Sequence, residues 1–287
     1  MVILRFTMLV GKGHYEVAKL LLDNDAKIDD MDKNGNTPLH LACSNGHFDV
    51  AKFLLEEGAN IDVVNNDGST AFQLACSNGH LKVAELLVKK RADIDAVNNS
   101  GDTPLHLACS NGRLKIAELL LEEGANIDVV NNDERADIDA VNNSGDTPLH
   151  AACLNGHLEV AKWLINENPS LVDVMDKNGS TPLHLACRNG HPEVVKLLVE
   201  KKANINAVNK DGQTPLQYAR DNGHPEVVKL LVEKAIRHPK KQQVSSAESR
   251  ESSKRCESIL PTASVSQSTY LYRFDKETGD DPAQRTI

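Results

Sequence analysis

Residues 35–47 read GNTPLHLACSNGH, and the block returns five more times along the 287-residue chain. The copies are GSTAFQLACSNGH from Gly68, GDTPLHLACSNGR from Gly101, GDTPLHAACLNGH from Gly145, GSTPLHLACRNGH from Gly179 and GQTPLQYARDNGH from Gly212. Successive glycines are 33, 33, 44, 34 and 33 residues apart. Self-similarity at such a period marks stacked repeats. Each block carries its own helix signals. Thr37 can cap a helix, and Pro38 at the first helical position loses only an N–H that would be unpaired anyway. Leu39, Ala42 and Cys43 fall at i, i+3 and i+4, one buried stripe. Asn45–Gly46 ends the helix, because glycine tolerates a left-handed conformation. A second helix follows, with Val50, Phe53 and Leu54 in the same spacing, and Gly58 stops it. The Asn- and Asp-rich stretch 59–67 then turns the chain back toward the next capping Thr. Pro192 and Pro225 mark the starts of later second helices.

TPLH at 37–40, 103–106, 147–150 and 181–184, with TAFQ at 70–73 and TPLQ at 214–217, resembles the signature of the ankyrin repeat over about residues 1–238. The resemblance implies an all-α solenoid of helix-turn-helix units, each with a hairpin finger, and composition adds a disordered C-terminal tail to the expected fold. It divides the chain into an incomplete N-terminal repeat (1–34) and repeats over 35–67 and 68–100. A repeat with an 11-residue hairpin insertion follows (101–144), then repeats over 145–178 and 179–211, a C-terminal capping repeat (212–241) and a Ser-rich tail (242–287). One helix pair cannot bury its own apolar faces, so each repeat depends on its neighbours.

The pattern breaks in three places. EEGANIDVVNND occurs at 56–67 and 122–133, and RADIDAVNNS at 91–100 and 135–144. The first copies are separated by a whole helix pair and the second copies by Glu134 alone. Loss of one helix pair between two hairpins explains this and leaves a double-length finger over about 125–144. Residues 3–10, ILRFTMLV, stand where a first helix belongs but lack Thr–Pro and are apolar throughout, as in an array cut upstream. Beyond about Lys241 the chain turns serine-rich, charged and aperiodic, which reads as disordered, with one aromatic run, TYLYRF, at 269–274.

Net charge is −9, and residues 1–241 hold 26 Lys+Arg against 34 Asp+Glu. An acidic body argues against a nucleic-acid partner, which needs a basic stripe. No stretch approaches the ~20 apolar residues of a membrane span. Five of the six cysteines recur at one repeat position and never form CxxC pairs, so a reducing, cytoplasmic (or nuclear) setting is expected rather than a disulfide framework. His40/Cys43, His106/Cys109, His150/Cys153 and His184/Cys187 have a spacing that could hold zinc. Yet each Cys lies on the buried stripe, and successive pairs are set ~8–10 Å apart by helix packing. No metal and no cofactor are expected. Nothing matches a phosphate-binding glycine loop or a nucleophile elbow, so no enzyme is expected.

The expected function is a protein-binding scaffold or adaptor, monomeric, using the concave face. The other expectation is the ankyrin segment of a larger regulatory protein. The family resemblance places contacts at finger tips and first-helix ends: Lys33, Asn34, Asn36, Ser44 and Asn45, then Asp67, Ser69, Ser77 and Asn78, then Ser100, Asp102, Ser110 and Asn111. Farther along come Ser144, Asp146, Leu154 and Asn155, then Lys177, Asn178, Ser180, Arg188 and Asn189, then Lys210, Asp211, Gln213, Asp221 and Asn222. This face is predicted to be polar and monotonous from Gly35 to Ser144 and more varied from Leu154 to Asp221, which favours the C-terminal half. Phe53, Phe72, Trp163 and Tyr218 are predicted at core positions, and Leu119 is read as buried in a central second helix.

Overall fold

The computed structural model describes residues 10–127 and 141–237, all within one compact unit. The tail expected to be disordered, the apolar start and most of the inserted finger lie outside the described residues. First helices are α2 (Pro38–Ser44), α4 (Ala71–Asn78), α6 (Pro104–Ser110), α8 (Pro148–Leu154), α10 (Pro182–Arg188) and α12 (Pro215–Asp221). Second helices are α1 (Tyr15–Leu22), α3 (Phe48–Glu56), α5 (Leu81–Lys89), α7 (Leu114–Glu122), α9 (Leu158–Glu167), α11 (Pro192–Glu200) and α13 (Pro225–Arg237). First helices pack on first helices and second helices on second helices, so one apolar seam runs from Val10 to Leu231. No helix among the described residues is long and apolar enough to cross a membrane.

The helix starts obey the sequence. Thr37, Thr70, Thr103, Thr147 and Thr214 sit in extended conformation, and each side chain accepts the N–H three residues on. Leu39, Ala42, Cys43, Val50 and Leu54 are buried, as their spacing required. Phe53 and Phe72 are buried, while Trp163 and Tyr218 are half-buried against the core. One residue of a stripe is less buried than expected. In α7 the buried residues are Ile116, Ala117 and Leu120, and Leu119 stands at the edge, only partly buried. Leu119 packs against the core from its edge, whereas Leu120 lies in the seam and is 0% exposed.

The stop after each second helix does not require glycine for space. A Cβ on Gly58 or Gly124 would meet nothing within 4 Å. Accordingly Arg91 and Lys202 occupy the same position at φ 64° and 69°. They carry only the ~1–2 kcal/mol backbone cost of the left-handed region. The 34-residue repeat absorbs its extra residue in a 3-10 turn, Pro169–Asp173, whose Leu171 and Val172 plug the base of the finger.

The inserted finger leaves the stack undisturbed. Ala125 is buried at the finger base just as Ala59, Ala92 and Ala203 are. On the return, Asn142 Oδ1 accepts the N–H groups of Ser144 and Asp146 at 2.9 and 3.0 Å, as Asn98 does for Ser100 and Asp102. The second hairpin copy therefore supplies the finger tip, and α6 packs directly on α8. Both chain ends of the surplus are held where an ordinary finger holds them. Deleting Glu134–Ser144 puts Asn131–Asp133 into this turn and restores the sequence VVNNDG found at 63–68. The variant is expected to fold with equal or slightly higher stability in urea unfolding, because loop-closure entropy varies slowly with length. An unfolded variant, or two separate transitions, would contradict the closed seam.

Candidate functional site

The histidines of TPLH are structural, and they reach farther than their own turn. In His40 the Nδ1 atom accepts the Thr37 N–H at 3.2 Å, so the neutral ring carries its proton on Nε2. That Nε2–H donates to the Ser69 carbonyl of the next repeat at 3.0 Å. His106, His150 and His184 do the same toward Asp146, Ser180 and Gln213 at 2.9, 3.1 and 3.1 Å. Burial holds all four below the ordinary imidazole range, His150 at about 4. Gln73 imitates the ring: its Oε1 accepts the Thr70 N–H and its amide donates to the Asp102 carbonyl, both at 2.9 Å. With both ring nitrogens engaged, these histidines offer no lone pair to a metal. Among the described residues no group of three or more His, Cys, Asp or Glu could hold one. Burial pushes the five repeat thiols up, Cys187 to about 12.

The histidines of the NGH turns bond in the opposite direction. The Nε2 atoms of His47, His80, His157, His191 and His224 donate to the carbonyls of Gly11, Ser44, Ser110, Leu154 and Arg188 in the preceding repeat, at 2.8–3.0 Å. Arg113 substitutes for the ring, donating from Nε to the Ser77 carbonyl at 3.1 Å. Each ring covers the turn glycine before it. A Cβ on Gly112 would lie 2.6 Å from His157 Nδ1, at a backbone φ of +68°.

Stacked fingers are tied by a main-chain ladder. The N–H groups of Asn66, Asn99, Asn143, Lys177 and Lys210 donate to the carbonyls of Asn34, Asp67, Ser100, Ser144 and Asn178 at 2.9–3.0 Å. Side chains join in, with Asn99 Nδ2 on the Asn66 carbonyl and Lys177 Nζ on the Asn143 carbonyl at 2.9 and 2.8 Å.

Within this frame most of the sequence-predicted contact residues are accessible. Lys33, Asn34, Asn45, Asp67, Asn78, Ser100, Asn111, Ser144, Asn155, Lys177, Asn178, Arg188, Asn189, Lys210, Asp211, Asp221 and Asn222 are exposed. Asn36, Ser44, Ser77, Asp102, Ser110, Asp146, Leu154 and Gln213 are half-buried. Ser69 and Ser180 are not available: they are 6% and 2% exposed, sealed where their carbonyls receive His40 and His150. Along the first-helix ends the N-terminal half bonds to itself. Asn78, Asn111 and Asn155 donate to the hydroxyls of Ser44, Ser77 and Ser110 at 3.3, 3.2 and 3.1 Å. The run stops at Leu154, which has no hydroxyl, so Asn189 turns to the Leu154 carbonyl at 2.7 Å. Asp146, desolvated and beside Asp176, is held up at about 6.

The reading of the sequence missed an apolar row on the fingers. Met31, Val64, Val97, Met175 and Val208 are 50–56% exposed, each directly before the Asp or Asn that opens its turn. The face from Gly35 to Ser144 is therefore not purely polar. The signal was present as an apolar residue at one repeat position.

Two family models match, one described as ankyrin repeats (3 copies) at 57–133, 98–173, 129–209 and 168–243, the other as ankyrin repeats (many copies) at 6–55. The crystal structure of the human ASB11 ankyrin repeat domain is 28% identical at a TM-score of 0.66, covering 80% of this chain and 96% of that one. A chain from the Bd0816 predatory endopeptidase of Bdellovibrio bacteriovorus in complex with immunity protein Bd3460 is 28% identical at a TM-score of 0.58. That alignment covers 71% of this chain and 99% of that one. A search of curated proteins finds no match. With the capping threonines, the two-way histidine bonds and family matches that together span most of its length, this chain belongs to the ankyrin-repeat family, a fold whose general use is binding proteins.

Proposed function

We propose that the chain is a non-catalytic scaffold or adaptor that holds a partner protein on its finger tips and first-helix ends, chiefly in the C-terminal half. One observation carries the choice of half. The Ser–Asn pairs that consume side-chain polarity at 44/78, 77/111 and 110/155 give way at Leu154, and the next equivalent residue is the exposed Arg188. A half-buried leucine beside an exposed arginine has the makings of an anchor, since arginine is enriched among interface hot spots. The Bd0816–Bd3460 complex, where a related chain lies in a protein assembly, supports the same use. The chain acts as a monomer without nucleic acid, in keeping with its acidity, and five buried unpaired thiols fit a cytoplasmic setting.

The test compares tagged full-length protein with its L154S/R188A variant in parallel affinity capture and quantitative mass spectrometry. At least one partner is expected to fall by about tenfold or more in the variant, the equivalent of ~1.4 kcal/mol. Equal recovery of every captured protein would refute the C-terminal assignment.

A further inference from the structure

Each junction of the stack is closed by the same set of contacts, so the two end faces of the described array can be compared with the junctions inside it. A finger carbonyl accepts a main-chain N–H of the next repeat, as Asn178 accepts from Lys210 at 2.9 Å. A first-helix carbonyl accepts from the following His, as Arg188 does from His224 at 2.8 Å. A His or Gln near the start of the first helix donates forward, as His184 does to the Gln213 carbonyl at 3.1 Å.

The repeat 212–241 presents one half of every pair, and nothing among the described residues meets it. The groups are the Asp211 carbonyl, the Asp221 carbonyl and the exposed Gln217 amide, whose equivalent Gln73 donates to the Asp102 carbonyl. Gly46, Gly112, Gly156 and Gly190 are each covered by a following His ring, but a Cβ on Gly223 would meet nothing within 4 Å. Val232 marks the apolar side of the same opening. Its equivalents Leu22, Leu55, Val88, Leu121, Ile165 and Val199 all join or pack against the core, and Val232 does neither. It lines instead a groove of about 540 Å³ with Ala219, Pro225 and Val228.

The first described repeat carries the other halves. His14 stands where His47, His80 and His224 donate backward, and its exposed ring bonds to nothing among the described residues. The Lys33 N–H is equivalent to the five that form the finger ladder, and the Asn36 carbonyl is equivalent to that of Ser69, which receives His40. Leu20 is 60% exposed at the position where Phe53, Leu86 and Leu197 are 8–9% exposed. That position faces backward along the stack, since the Phe53 ring meets Tyr15 of the preceding second helix edge-on at 5.2 Å.

We propose that the two end faces are partners, the C-terminal face of one copy receiving the N-terminal face of a second copy so that the solenoid continues across the junction. Leu20 then lies against Pro225, the equivalent of Tyr15, at the mouth of the groove. His14 donates to the Asp221 carbonyl, the Lys33 N–H to the Asp211 carbonyl, and Gln217 to the Asn36 carbonyl. A contact between unlike faces leaves one free face at each end, so it propagates rather than stopping at a pair. A charge of −9 on every copy opposes it. The monomer of the scaffold reading therefore persists in dilute solution, and chains grow as concentration rises. The contact goes beyond that reading and uses neither Leu154 nor Arg188.

The test follows full-length protein by sedimentation equilibrium from about 1 μM to about 1 mM. The wild type is expected to pass from monomer to a series that runs beyond the dimer. L20E and V232E change residues outside the core cluster, one at each end, and each should weaken association by about tenfold or more. V232S serves in place of V232E should the latter lose its urea transition. Mixing the two variants is the decisive arm. L20E keeps the C-terminal face and V232E the N-terminal one, so the mixture should form dimers and stop there. L154S/R188A should associate as wild type, which separates this outcome from the scaffold reading. A wild type that stays monomeric at about 1 mM would overturn the proposal. So would a mixture that stays monomeric, or dimers of either variant alone, which would pair like face with like.

Discussion

Acidification from pH 6.5 to 4 is expected to destabilise the array steeply, and four substitutions are expected to remove most of that sensitivity. His40, His106, His150 and His184 have folded-state pKa values below the unfolded value of 6.5. Between the two values the unfolded chain binds protons that the folded one does not, so stability falls as pH drops through this window. For His150, taken from 6.5 to about 4, the loss is about 3 kcal/mol, and the other three act in the same sense. Burial is the main cause. Protonation would also place a proton on Nδ1, facing the Thr N–H that this atom accepts. Asp146, raised to about 6 from 3.8, works the other way: its contribution is present at low pH and is lost as pH rises through that range. It is partly exposed, so the histidines dominate. Replacing all four by Gln copies the arrangement at Gln73, which caps and bonds forward without titrating. Urea midpoints at pH 7 and 5 should differ strongly for the wild type and little for the variant. A wild-type midpoint that stays constant down to pH 4.5 would refute this account.

Leu120→Ala is expected to cost about 2–5 kcal/mol, because it leaves a cavity in the middle of the seam. Leu20→Ala in α1 should stay within about 0.5 kcal/mol. Leu120 is fully buried between α5 and α9, whereas Leu20 is 60% exposed in the first described helix. In a nearest-neighbour array a cavity at a shared junction weakens both repeats that meet there, whereas truncating an exposed side chain opens no junction, so burial in the seam sets the loss. Similar losses for both in urea unfolding would contradict that picture.

The fold could be read from the sequence because its determinants are local. Thr37 and Pro38 start a helix wherever they stand, and Val50 and Leu54 share a face at any helix's pitch. Relations between repeats could not be read that way. His40 and His47 lie seven residues apart on one turn and helix, yet one bonds forward and the other backward. Nothing inside a single repeat reveals that. The same gap hid the burial of Ser69 and Ser180, whose equivalents Asn36, Asp102 and Asp146 keep partial access. Leu119 was read as buried and is partly buried instead, packed against the core at the stripe position that Phe53, Leu86 and Leu197 fill at 8–9% exposure. Val64 and Val97 were legible as apolar, but only the structure separates an apolar residue in the seam from one facing water.

The residue two before each turn glycine divides its labour between two atoms. At Ser44, Ser77, Ser110, Leu154 and Arg188 the main-chain oxygen receives the following repeat's His or Arg. The side chain is left out of that bond. An acceptor supplied by the backbone is the same for every amino acid, so a hydroxyl, an isobutyl group or a guanidinium can stand there without loosening the junction. Recognition can thus drift at these sites while stability is held constant. That separation makes the surface evolvable, and it lets new specificities be selected without first stabilising the scaffold.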